Sequence, residues 1–95
     1  MKYNIKYGKQ LEKLIINTSK NPKLLHEFLV DLLSPAEYKE LAIRIQIIKM
    51  LNNKIPQRDI SKALSVGVST VTRGARELSN TKGGFAQVVS KKLMK

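Results

Sequence analysis

The chain has 95 residues with 18 Lys+Arg against 7 Asp+Glu, one histidine, no cysteine and a net charge of +11. The length suits one small domain with a limited core, and the missing cysteines rule out a disulfide frame or a thiolate metal site. The charge calls for an acidic partner, nucleic acid first and an anionic membrane second.

The basic residues concentrate at the ends. Residues 1–30 carry six basic and two acidic groups, residues 80–95 four and none, and residues 57–79 four and two. No apolar run approaches the roughly 20 residues of a membrane span. The start "MKYNIKYGKQ" has no apolar core like that of a signal peptide, so a cytoplasmic location without membrane contact is expected.

Apolar spacing is helical nearly throughout. A first helix is predicted over 3–18, with Tyr3, Tyr7, Leu11, Leu14 and Ile15 on one side. "NTSKNP" breaks it. A second is predicted over 22–33, started by Pro22 and apolar over a wide arc, more than a monomer of this size buries easily. "SPAE" then forms a capping box of Ser34 and Glu37 with Pro35 in the first turn. The third helix is predicted over 35–52, its face made by Leu41, Ile45, Ile48 and Leu51, with Ile47 nearby.

After "NNKIP", Pro56 is expected to open a short helix to 64, with "SVGV" as a turn and another helix over 69–79. Ile60 and Leu64 are predicted to face Val71 and Leu78, with Ser61 small at the crossing and Gly67 in the turn, where a positive φ is expected. That is a helix-turn-helix pattern, whose second helix enters the DNA major groove. Ser69, Thr70 and Thr72 begin that helix as short hydrogen-bonders, and Gln57 and Arg58 begin the one before it. A last helix is predicted over 85–94. The expected organisation is a single helical domain: core and dimerisation helices over 1–55, the helix-turn-helix over 56–79 and a C-terminal helix over 80–95. One feature resists this plain reading. Arg73 and Gly74 interrupt the helix over 69–79, and glycine there costs about 1 kcal/mol against alanine.

"LLSPAEYKELAIRIQIIKML" followed by "QRDISKALSVGVSTVTRGARELS" resembles the tryptophan repressor family, over about residues 29–79. The resemblance implies an all-α, six-helix intertwined homodimer. It implies a repressor of transcription that binds a duplex operator of two-fold symmetry when loaded with L-tryptophan, with no other cofactor and no metal. It also implies site roles. The effector's indole would lie between Arg44 and Arg73, with Gly74 letting the backbone approach and Arg73 helping hold the carboxylate. Backbone around Leu33 and Ser34 would accept from the ammonium. Gln57 and Thr72 would contact phosphates, and Arg58, Val68, Ser69 and Thr70 would meet base edges, many through water.

The chain departs from that pattern in places. Glu77 stands where the family has a serine near the effector's amino group, so a carboxylate there either pairs with the ammonium or obstructs the pocket. Asp31 stands in place of a leucine and Ser61 in place of a lysine. "LSNTKGGF" is similar to a sister group of repressor-like proteins. Two alternatives therefore stand beside the tryptophan-controlled repressor. One is a repressor-like DNA binder with another effector or none. The other is a basic helical RNA-binding protein, which the 5% aromatic content opposes, since single-stranded RNA readers stack bases on rings. An enzyme is not expected: the one histidine, His26, sits in an apolar run and the carboxylates are scattered.

Overall fold

The computed structural model describes residues 5–94. The described residues form six helices and no strand: α1 (Ile5–Thr18), α2 (Pro22–Leu32), α3 (Pro35–Asn52), α4 (Gln57–Leu64), α5 (Val68–Ser79) and α6 (Gly84–Ser90). The chain divides into two compact units, residues 1–38 and 39–95. Helix packing explains the division. α1 packs on α2, α4 on α5 and α5 on α6.

In the first unit, local bonds set the helix ends. Thr18 Oγ1 donates to Leu14 O at 2.8 Å and Ser19 Oγ to Ile16 O at 2.6 Å, closing the last turn of α1. Asn21 Oδ1 then accepts from Leu24 N at 3.3 Å, capping α2 with Pro22 in its first turn. The expected capping box forms in full: Ser34 N donates to Glu37 Oε1 at 2.8 Å, and Glu37 N donates to Ser34 Oγ at 3.2 Å. The expected start of α1 at Tyr3 lies outside the described residues. His26 is exposed rather than embedded, its ring edge-on to Tyr38 with centroids 6.1 Å apart. Neither α1 nor α2 buries any residue completely, and Leu11, Leu14, Leu24 and Leu32 remain exposed.

The second unit has the core. Ile47 of α3, Ile60 of α4 and Val71 of α5 are buried together, and Leu51, Ile55, Leu64 and Val66 pack around them. Leu41 and Ile45, expected on one face of α3 with Ile48 and Leu51, are exposed. Leu78 is half-buried and outside the Ile60–Val71 cluster.

Three helices of the described chain end in one way. After α4, Ser65 N donates to Lys62 O at 3.3 Å and Val66 N to Ser61 O at 3.1 Å. After α3, Lys54 N donates to Leu51 O at 3.0 Å and Ile55 N to Met50 O at 3.1 Å. After α6, Lys92 N donates to Val89 O and Leu93 N to Val88 O, both at 3.0 Å. This is the Schellman pattern, which satisfies the last carbonyls and needs one left-handed residue. That residue is Lys54 (φ 65°), Ser65 (φ 55°) or Lys92 (φ 57°), and no described glycine has positive φ. The expectation for Gly67 is therefore corrected. It has φ −67° and ψ 148° and precedes α5, while Ser65 makes the left-handed turn. The same motif stops α6 at Ser90, short of the expected 94. Pro56 likewise precedes α4 instead of opening it, giving its carbonyl to Ile60 N at 3.1 Å.

Candidate nucleic-acid interface and effector site

The α4–α5 pair is built from both its sides. On the inner side Ile60 and Val71 are fully buried, each 0% exposed. In the turn Ser61 Oγ donates to Val66 O, and Val66 itself reaches the core. Ser61 is thus more than a small residue at a crossing, since its hydroxyl ties α4 to the turn. On the outer side Thr72 Oγ1 donates to Gln57 Oε1 at 2.8 Å. This bond joins the start of α4 to the second turn of α5 and holds the two helices at one angle. Both residues were expected on phosphates from sequence, but their mutual bond was not legible there because it spans fifteen positions.

The remaining residues expected on DNA fall on the outer side. Val68, Ser69 and Thr70 are all exposed in the first turn of α5, Val68 at 51%. Arg58 is exposed at the start of α4. The arrangement presents short polar groups and one apolar side chain, Val68, at a helix N-terminus. These groups suit base edges, thymine methyls and phosphate oxygens.

The residues expected around an effector fall into two sets. Arg44 and Arg73 belong to the second unit, and each is engaged by a glutamate of its own helix. Arg44 Nη2 pairs with Glu40 Oε1 at 2.8 Å, and Arg73 Nε with Glu77 Oε1 at 3.2 Å. Both pairs are substantially solvent-exposed, so each is weak, about 0.3–0.5 kcal/mol for this helical spacing. Glu77 therefore engages a cation of its own helix.

Gly74 has a reason inside the chain. A Cβ there would lie 3.0 Å from Ile47 Cγ2, 3.7 Å from Leu51 Cδ1 and 3.8 Å from Ile48 Cδ1. The bare backbone lets α5 lie against α3.

Leu33 and Ser34 belong to the first unit. The carbonyl of Ser34 accepts from Tyr38 N at 2.9 Å, in the first turn of α3. The open carbonyls lie just before it. Val30 lacks its helical donor because Ser34 N bonds Glu37, and Asp31 because Pro35 has no N–H. The end of α2 is thus rich in carbonyl oxygen and carries Asp31 as well. Its polarity suits a cation. Among the described residues no cluster of metal-ligating side chains occurs, and no helix is long and apolar enough to cross a membrane.

A family model described as Trp repressor protein matches residues 9–93. This chain belongs to the Trp repressor family. Three similar relatives are each described as a Trp operon repressor homolog. The one from Vibrio campbellii is 37% identical over 73 residues, covering 75% of this chain and 71% of its own. The one from Vibrio parahaemolyticus is 40% identical over 57 residues, covering 58% of this chain and 55% of its own. The one from Actinobacillus succinogenes is 42% identical over 53 residues, covering 55% and 52%. The matched stretch is thus about half the length of the last two relatives. No solved structure matches the chain significantly. Membership agrees with the resemblance seen in "LLSPAEYKEL" and "VGVSTVTRG", and extends it through α1 and α6.

Proposed function

We propose that this protein is a homodimeric DNA-binding repressor of transcription, controlled by L-tryptophan and acting in the cytoplasm on operators of two-fold symmetry. The α4–α5 pair carries the proposal. Its inner side is sealed by Ile60 and Val71, and its outer side presents Ser69 and Thr70 at the start of α5. Such a pair exposes the reading helix without weakening the core. Gln57, Arg58, Val68 and Thr72 complete the DNA-facing set.

Dimerisation is supported by the apolar surface left uncovered. Leu11, Leu14, Leu24, Val30, Leu41 and Ile45 are all at least 41% exposed, and exposed apolar surface on this scale marks an interaction site. A second copy of the chain supplies the missing cover. The effector reading rests on Arg44 and Arg73, whose guanidinium planes stack on an aromatic face once their weak glutamate pairs open. The carbonyl-rich end of α2 at Leu33 has the chemistry for an ammonium group. Gly74 serves by setting α5 on α3.

Melting the protein with and without L-tryptophan tests the corepressor, because a ligand present at 100 times its Kd stabilises by about 2.7 kcal/mol. Arg73→Ala is expected to abolish the shift while leaving the protein folded. A full shift in that variant would remove the two-arginine pocket. The dimer is tested by a Tm that rises with protein concentration. A second reading, a repressor-like DNA binder with another effector or none, is favoured by the Arg73–Glu77 and Arg44–Glu40 pairs. It gains the argument if calorimetry gives no heat with L-tryptophan while duplex DNA still binds.

A further inference from the structure

Arg76 is an exposed cation on the outer side of α5. Among the described residues it joins neither the Arg44–Glu40 nor the Arg73–Glu77 ion pair, and α5's one acidic residue, Glu77, is engaged by Arg73 at 3.2 Å. Its position follows from helical geometry. Thr72 lies one turn before Arg76 and Ser69 two turns before it, the i+4 and i+7 spacing of a single stripe. The opposite stripe is accounted for by Val71, which is fully buried, and by Gly74 against Ile47. The direction of the outer stripe is fixed, because Thr72 Oγ1 is held by Gln57 Oε1.

An arginine near a helix C-terminus is already favoured by the backbone dipole. The stripe is continuous with the residues expected on DNA, and Arg76 stands about 10 Å along the axis from Ser69 at 1.5 Å per residue. That is close to the roughly 12 Å width of the major groove. A helix that inserts its first turn into the groove therefore carries Arg76 to the groove's edge, where phosphates lie.

We propose that the Arg76 guanidinium binds a backbone phosphate of duplex DNA, one contact per protomer, beside the groove entered by the start of α5. This rests on the DNA-binding reading above. A phosphate contact needs no particular sequence, so a random-sequence duplex of 30 base pairs serves as probe.

The affinities of the native protein, Arg76→Gln, Arg76→Lys and Lys39→Gln are measured by fluorescence anisotropy across a salt series. The slope of log K against log salt is expected to be shallower in Arg76→Gln by about 0.9 per contact, or about 1.8 for a dimer. Arg76→Lys is expected to keep the native slope. Lys39→Gln removes the same charge from an exposed place on α3 and is expected to leave the slope unchanged. A native slope in Arg76→Gln overturns the assignment while leaving the DNA-binding reading intact. An equal flattening in Lys39→Gln also overturns it, since net charge alone would then explain the effect. Failure of the native protein to bind the duplex at low salt overturns both.

Discussion

Replacing Gly74 by alanine asks whether the bare backbone serves packing. The added Cβ meets Ile47 Cγ2 at 3.0 Å, with Leu51 and Ile48 at ordinary contact distance. An optimal carbon pair is separated by roughly 3.5–4.0 Å, so the Ile47 methyl must move. Ile47 is 2% exposed and cannot swing into solvent. Overpacking of this kind costs about 1–3 kcal/mol, while alanine in place of glycine inside a helix gains about 1 kcal/mol. Packing outweighs propensity, and the variant is expected to be about 1 kcal/mol less stable. In a domain of this size that lowers Tm by about 4–8 °C, read by circular dichroism. The partner experiment uses an Ile47→Ala background, itself about 2–5 kcal/mol less stable. There the added Cβ keeps only the ordinary contacts with Leu51 and Ile48, and the same change is expected to stabilise by about 1 kcal/mol. A higher Tm for Gly74→Ala in the otherwise native chain refutes the packing argument. So does an identical shift in the two backgrounds.

Ser65→Gly is expected to raise Tm. A left-handed conformation costs an L residue about 1–2 kcal/mol, and glycine gives back only about 0.5–1 kcal/mol through added chain entropy; a lower Tm would contradict this. Bonds from the Ser34 backbone, then from its hydroxyl, hold the Glu37 carboxyl below its ordinary pKa. A lowered folded pKa stabilises above the unfolded value and stops doing so as pH falls through the folded one. Glu37→Ala is therefore expected to melt lower than the native protein at neutral pH, with the gap closing on acidification; a gap independent of pH would refute the charge in the cap. Thr70→Ala is expected to weaken binding to a selected operator by about 1 kcal/mol or more while sparing random duplex DNA, and an equal loss on both would exclude base readout at that position.

Much of the architecture was readable because its signals are local. Asn21 before Pro22, Ser34 with Glu37, and the "NNKIP" break act within a few residues, and the predicted helices α2 to α5 begin and end within a residue or so of the observed ones. The turn between α4 and α5 was located correctly but assigned to the wrong residue. Gly67 carries the compositional signal for positive φ, yet the register of Val66 in the core puts the left-handed residue at Ser65. In the sequence Arg76 looks ordinary, an arginine near the end of a basic helix; the stripe it shares with Thr72 and Ser69 is oriented by the packing of Val71 and Gly74.

The sequence by itself determined where helices form, which sides are apolar, and that the partner is acidic, because capping, periodicity and charge need no knowledge of distant residues. Only the tertiary structure decided what Gly74 and Thr72 pack against. Gly74 meets α3 across more than twenty positions of chain. Thr72 meets Gln57 across fifteen. Both pairings depend on which faces meet, and that is settled when Ile47, Ile60 and Val71 close into one core.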